Sequence, residues 1–218
     1  MVTARSLNRL LLIGFILTII LSSISLAAQN PVGIWKLDEG SGDLAYDFSG
    51  GGHTATLSSG IRWSQVASTW TVSSDGSHRG YVTTPALDLS GSKAVSVTFW
   101  LEHTFSTTNG ESVLFEAGKN YLQSETGFAL LVDENTCHGF QAVLRGNEGT
   151  TANCYSQPST GGWHHLTVVY DKSQSGGNAV SLFIDGALQT PTWNLSSATN
   201  TNNFGNEPIY LLSQAGTS

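Results

Sequence analysis

The chain has 218 residues, with nine basic residues against sixteen acidic ones and a formal net charge of −7. So few cations argue against nucleic acid as a partner, because that affinity comes largely from neutralising phosphates with Lys and Arg. The length suits one sandwich domain and is short for two.

The first element is a leader. M-V-T-A-R-S-L-N-R carries Arg5 and Arg9 and no acid, an unbroken apolar run follows from Leu10 to Leu21, and S-S-I-S-L-A-A leads out. A basic start, a greasy middle and a small-residue exit are the three parts of a secretory signal peptide. Ser25 and Ala27 suit the minus-three and minus-one positions, so cleavage is expected after Ala27. Leu10 to Ala28 would just reach across a bilayer, but these flanks favour export with cleavage. The domain is then 28–218, a secreted or cell-surface protein with no membrane span in the mature chain. Removing the leader with its two arginines leaves seven basic residues against sixteen acidic ones, a net charge of −9.

Beyond the leader no apolar pattern keeps helical spacing for more than a turn. Gly, Ser, Thr and Asn punctuate short apolar alternations, which is the all-β signature. The expected strands in chain order are Gly33–Leu37, Thr54–Leu57, Tyr81–Thr84, Leu87–Leu89, Ala94–His103 and Ser112–Ala117. Gly127–Asp133, His138–Arg145, Ala152–Ser156, Trp163–Asp171, Val180–Asp185 and Pro208–Ser213 complete the set. Ser196 to Asn206, rich in Asn, Ser and Thr, reads as a loop. Cys137 and Cys154 are the only cysteines. An even count in an exported chain predicts a disulfide. Metal binding by the pair is disfavoured, because no second Cys or His pair stands at ligand spacing.

Alternation assigns the faces. Val95, Val97, Phe99 and Leu101 share one side of their strand, and Ser96, Thr98, Trp100 and Glu102 the other. Leu166, Val168 and Tyr170 face inward, and Trp163, His165, Thr167 and Val169 outward. Val180, Leu182 and Ile184 are core, while Ser181, Phe183 and Asp185 are not. Each strand has one apolar face for the space between two sheets.

Five segments, in order, resemble the laminin G-like, concanavalin A-like jelly-roll family. They are G-I-W-K-L-D-E-G-S-G from Gly33, D-F-S-G-G-G-H-T-A-T-L from Asp47, V-S-V-T-F-W-L from Val95, W-H-H-L-T-V-V-Y-D from Trp163, and S-L-F-I-D-G from Ser181. The resemblance implies an all-β, two-sheet antiparallel jelly-roll sandwich over about Gly33 to Leu212. The family usually continues with a final strand of the form F-x-G-x-I-D-E-V-R-I-Y, and this sequence stops at Q-A-G-T-S. The expectation is a C-terminally truncated domain with an unpaired strand edge, and unpaired edges invite strand-edge association.

The resemblance also implies a structural Ca²⁺ near the Asp47 turn, held by the Asp47 carboxylate and carbonyls near Gly50. A carboxylate followed by glycines can turn backbone oxygens toward a hard cation. The other reading is an Asp that caps its own turn. Asp38 and Glu39 are weaker candidates. Trp100, His165 and Phe183 are candidate ligand-binding residues. Sugar rings stack their C–H faces on aromatics, and Thr98 and Thr167 can bond hydroxyls. The other reading is ordinary packing under covering loops, and exposure separates the two.

Catalysis is not expected. His164 and His165 point to opposite faces, and no G-x-S-x-G context supplies a nucleophile. Glucan hydrolases of this fold carry E-x-D-x-E or E-x-D-x-x-E on one strand, and no such run exists here. Glu102, Glu111, Glu116 and Glu125 are scattered, and Asp133 and Glu134 are adjacent, hence opposed. The expected function is a secreted, non-catalytic recognition module that binds carbohydrate. The alternative is a structural or protein-interaction domain of a cell-surface or adhesion protein. The partner is a glycan or an extracellular protein surface.

Overall fold

The computed structural model describes residues 30–74, 80–102, 111–118, 120–133, 135–158 and 162–212. The expected leader, Met1–Ala27, lies outside them. The first strands are β1 (Leu44–Ala45), β2 (Ala55–Leu57), β3 (Ile61–Val66), β4 (Thr69–Ser74), β5 (Val82–Thr83) and β6 (Leu87–Asp88). Then come β7 (Ala94–Glu102), β8 (Glu111–Ala117), β9 (Phe128–Asp133), β10 (Gly139–Gly146), β11 (Gly149–Tyr155) and β12 (Trp163–Asp171). A 3-10 turn, Gly176–Ala179, precedes β13 (Val180–Ile184), β14 (Ala187–Leu188), β15 (Trp193–Ser196), β16 (Asn206–Glu207) and β17 (Ile209–Leu211).

The strands make two principal antiparallel sheets. The larger has nine strands in the order β1-β2-β5-β17-β8-β9-β10-β11-β15, and the smaller four, β14-β13-β12-β7. β6 pairs with β16, and β3 with β4, as separate two-stranded ladders. This is the expected two-sheet jelly-roll sandwich.

Its core follows from the period-2 pattern. Leu166, Val168 and Tyr170 of β12 and Val180, Leu182 and Ile184 of β13 are buried against Phe115, Phe128, Leu130, Phe140 and Tyr155 of the larger sheet. Burying such a side chain contributes about 1.5–3 kcal/mol. The one polar tip from the smaller sheet in this set is satisfied, because the Tyr170 hydroxyl donates to the Ala129 carbonyl at 2.6 Å. β7 supplies Val95, Val97, Phe99 and Leu101 to the same core, but all four are only partly buried. A second cluster, Ala45, Ala55, Leu57, Ile61 and Val82, gathers Trp63 and Val72 of the β3–β4 hairpin. A third, with Tyr121, Ala129, Leu131, Val143 and Ala152, lies on the other face of the larger sheet. The disulfide joins Cys137 to Cys154, as expected.

β1, β14, β15 and β16 have no counterpart among the expected strands, and Ser196 and Asn206, the ends of the expected loop, lie in β15 and β16; two further departures have an evident cause. Gly33–Leu37 is reduced to one bridge, Trp35 opposite Asp47. Leu37 stands at φ 56°, which ends the extended run, and the Trp35 indole N–H donates to the His53 carbonyl at 2.8 Å. The β3–β4 hairpin has no counterpart among the expected strands. Its two-residue turn is Ala67-Ser68, with Ala67 at φ 55° where glycine would normally announce the turn.

Candidate functional site

The outer face of the four-stranded sheet carries the residues singled out for ligand binding. Registers decide which of them meet. Trp100 of β7 stands opposite His165 of β12. One row along, Thr98 stands opposite Thr167, Thr167 opposite Phe183, and Phe183 opposite Leu188. Directly opposite side chains on one face are in contact range. The Trp100 and His165 rings lie 5.2 Å apart and tilted by 59°. The Thr98 hydroxyl reaches His165 Nε2 at 2.9 Å and the Thr167 hydroxyl at 3.0 Å, and donates to the Leu166 carbonyl at 3.2 Å. The imidazole is thus held between an indole and a hydroxyl.

Among the described residues no loop covers the indole. Trp100 is 64% exposed, and Leu188 likewise 64%. His165 and Phe183 are half-buried. Trp100 and Phe183 are not neighbours. They are two strands and one row apart, about 12 Å at a strand spacing of ~4.8 Å and a rise of ~3.4 Å per residue. The surface is therefore an open platform of separate aromatic and hydroxyl patches. Leu188 was not foreseen as part of it. The usable signal was the I-D-G-A-L run. A two-residue Asp185-Gly186 turn folds β14 back along β13 and sets Leu188 beside Phe183.

At the end of this sheet the Asp185 carboxylate accepts hydrogen bonds from the His165 backbone N–H at 2.9 Å and from His164 Nδ1 at 2.8 Å. The His164 hydrogen bond first, then the His165 N–H, hold the Asp185 carboxyl below its ordinary value. His164 and His165 share an acid but leave the strand on opposite faces, so no paired-imidazole site forms.

The candidate cation turn is built around Asp47. Oδ1 accepts the backbone N–H of Ile34 at 3.0 Å and of Ser49 at 2.8 Å. Oδ2 accepts the Ser49 hydroxyl and the His53 N–H, both at 2.9 Å. Burial opposes ionisation of Asp47, but the hydrogen bonds from Ile34, His53 and Ser49 outweigh it and hold the carboxyl well below the usual range. A carboxylate has about four lone-pair sites, and four donors occupy them. A Ca²⁺ ion bound through Asp47 would have to displace at least one of these donors. Gly50, at φ +88°, turns the chain in the same loop. Glu39 accepts the Tyr46 N–H at 2.7 Å. Among the described residues no three His, Cys, Asp or Glu side chains cluster as a metal set. The buried acids of the larger sheet also serve the backbone. Glu116 accepts the Tyr121 N–H, and Asp133 accepts the N–H groups of Asn135 and Thr136.

The family model described as the concanavalin A-like lectin/glucanases superfamily matches residues 75–216, more than half of the chain. A search of curated proteins finds no match. Among solved structures the chain is similar to the binding domain of botulinum neurotoxin DC in complex with rat synaptotagmin II. The TM-score is 0.59 at 14% identity, over 84% of this chain and 44% of that one. It is similar to botulinum neurotoxin type C, whose cell entry is described as dependent on interaction with two ganglioside molecules, with TM-score 0.59, 14% identity and coverages of 84% and 43%. It is also similar to the binding domain of Paraclostridial Mosquitocidal Protein 1, with TM-score 0.58, 13% identity and coverages of 84% and 44%. The chain spans less than half the length of these solved chains, and at such identities the likeness is one of fold. With its two-sheet sandwich and a family match across most of it, the chain belongs to the concanavalin A-like lectin/glucanases superfamily, as a laminin G-like domain.

Proposed function

We propose that this domain is a secreted, non-catalytic module that binds glycan on the outer face of its four-stranded sheet. The observation that carries the reading is the uncovered Trp100 indole, braced by His165 in a field of threonine hydroxyls. An exposed aromatic of this size loses apolar contact with water when a sugar ring stacks on it. The Thr98 hydroxyl is spent on Leu166, His165 and Thr167, and the adjacent Thr167 hydroxyl keeps capacity for a directional bond of the kind a pyranose demands. Solved relatives described as binding domains support the class of function, and export rests on the leader at Met1–Ala27.

The test is a glycan array followed by calorimetry on the mature chain. Trp100→Ala is expected to weaken the strongest array binder at least tenfold, with little change in melting temperature because the indole is exposed. Unchanged affinity in that variant would sink the reading.

A second reading, a protein-interaction domain, is favoured by one observation. β7 pairs along all nine residues with β12 on one side and has no partner on the other among the described residues. That edge offers main-chain hydrogen bonds to an extended segment of another protein.

A further inference from the structure

We propose that the cleft where the 3-10 turn and β13 face the β14–β15 connection is a binding subsite for a neutral, hydroxyl-rich ligand. The cleft measures about 260 Å³. Asn178, Ser181, Leu188, Thr190, Pro191 and the buried Tyr155 are among the residues that line it. It opens beside Leu188, the last member of the Thr98–Thr167–Phe183–Leu188 row. The subsite therefore continues the platform described above, and it rests on the glycan reading for its ligand class.

Two features give the cleft its chemistry. The first is a fixed floor. The Tyr155 hydroxyl donates to the Val180 carbonyl at 3.0 Å, the Asn153 amide donates to the Gly177 carbonyl at 2.8 Å, and the Asn194 amide donates to Asn153 Oδ1 at 2.6 Å. Tyr155 and Asn153 are buried, and their polar groups are spent on the backbone and on Asn194, so the floor is held in place. The second is an unspent rim. Asn178, Ser181 and Thr190 line the cleft, and their side chains make no hydrogen bond to any described residue, so an amide and two hydroxyls are unspent.

No lining residue is charged. A carboxylate, sulfate or phosphate on the ligand would be desolvated here with no cation to pair it, at a cost that selects against it. Leu188 and Pro191 offer apolar flanks for the C–H faces of a sugar. The rim amide and hydroxyls both donate and accept, as the hydroxyls of a neutral sugar require. A pocket lined mainly by apolar and uncharged polar groups with a few convergent donors is the usual form of a small-ligand site.

The experiment uses the full mature chain on an array of neutral and acidic glycans, then calorimetry with the strongest neutral binder. The wild type is compared with Asn178→Ala/Ser181→Ala, Leu188→Ala and Trp100→Ala. Neutral glycans are expected to dominate, and the double variant to lose at least tenfold in affinity while melting as the wild type does. Leu188→Ala, which removes a flank and no hydrogen bond, should lose less. If Trp100→Ala loses affinity and the cleft variants do not, the subsite is overturned and the platform stands. If only the cleft variants lose affinity, the subsite stands and the Trp100 platform falls. Binding confined to acidic glycans, or to none at millimolar concentration, overturns the subsite.

Discussion

Asp47 does structural work for the backbone of its own turn. Its four donors come from Ile34, Ser49 and His53, and together they tie the segment before β1 to the turn before β2. Because the folded carboxyl titrates below its unfolded value, its stabilising contribution is full above pH about 4 and is lost as pH falls through the folded value. Asp47→Asn keeps the shape but exchanges an acceptor for a donor. The variant should lose about 1–3 kcal/mol in urea unfolding at neutral pH, and the gap from wild type should narrow below pH 4. A gap that is the same at both pH values would remove the ionised carboxylate from the explanation. Adding Ca²⁺ to the wild type should leave the melting temperature where EDTA leaves it, since the acceptors are already filled. A rise of several degrees would show that a cation displaces the donors and binds.

At the scale of elements, β7, β12 and β13 were legible because β-branched and aromatic residues alternate in them without interruption. Period 2 therefore put Trp100, His165 and Phe183 on one outer face before any pairing was known. What alternation alone does not contain is which residues stand opposite one another. Trp100 meets His165 but not Phe183, and Leu188 joins the row, because of registers set by long-range pairing. The cleft at Asn178 and Thr190 was illegible for the same reason, since its walls come from separate elements. The β3–β4 hairpin escaped because Ala67 takes a conformation that the sequence does not advertise. The Asp185-Gly186 turn is the opposite case. Both residues have positive φ, 51° and 81°, as a type I′ turn requires. Gly186→Ala should therefore cost about 1 kcal/mol in equilibrium unfolding and broaden the NMR signals of Leu188. An unperturbed variant would mean that the turn has another conformation in solution.

At the scale of the whole molecule, the two sheets are unequal, and the mismatch falls at β7. Phe99 of β7 packs edge-on against Phe115 of β8 at 5.7 Å, so β7 lies over β8. In the larger sheet β17, β5, β2 and β1 follow on one side of β8. The floor therefore continues past the edge of β7 that no described residue pairs. The part-buried state of Val97, Phe99 and Leu101 is the signature of that edge. Hydrogen exchange should report it as an alternation. Amides of β7 that face β12 should exchange slowly, and those facing the open edge faster by orders of magnitude. Uniform protection that disappears on dilution would show instead that copies of the chain cover the edge.

The bridge between Cys137 and Cys154 encloses all of the β10–β11 hairpin but Tyr155, and the Asn147-Glu148 tip is exposed. Exposed tips are where proteases cut first. A cut there would sever the backbone without releasing anything, because the bridge lies outside the nick and the ladder from Phe140–Tyr155 to Gly146–Gly149 holds the two halves in register. On a gel, nicked protein should run as one band until a thiol is added and as two afterwards. The domain would thus outlast a cut at this tip, and the outer face of the four-stranded sheet, which carries Trp100 and His165, takes no strand from the nicked hairpin.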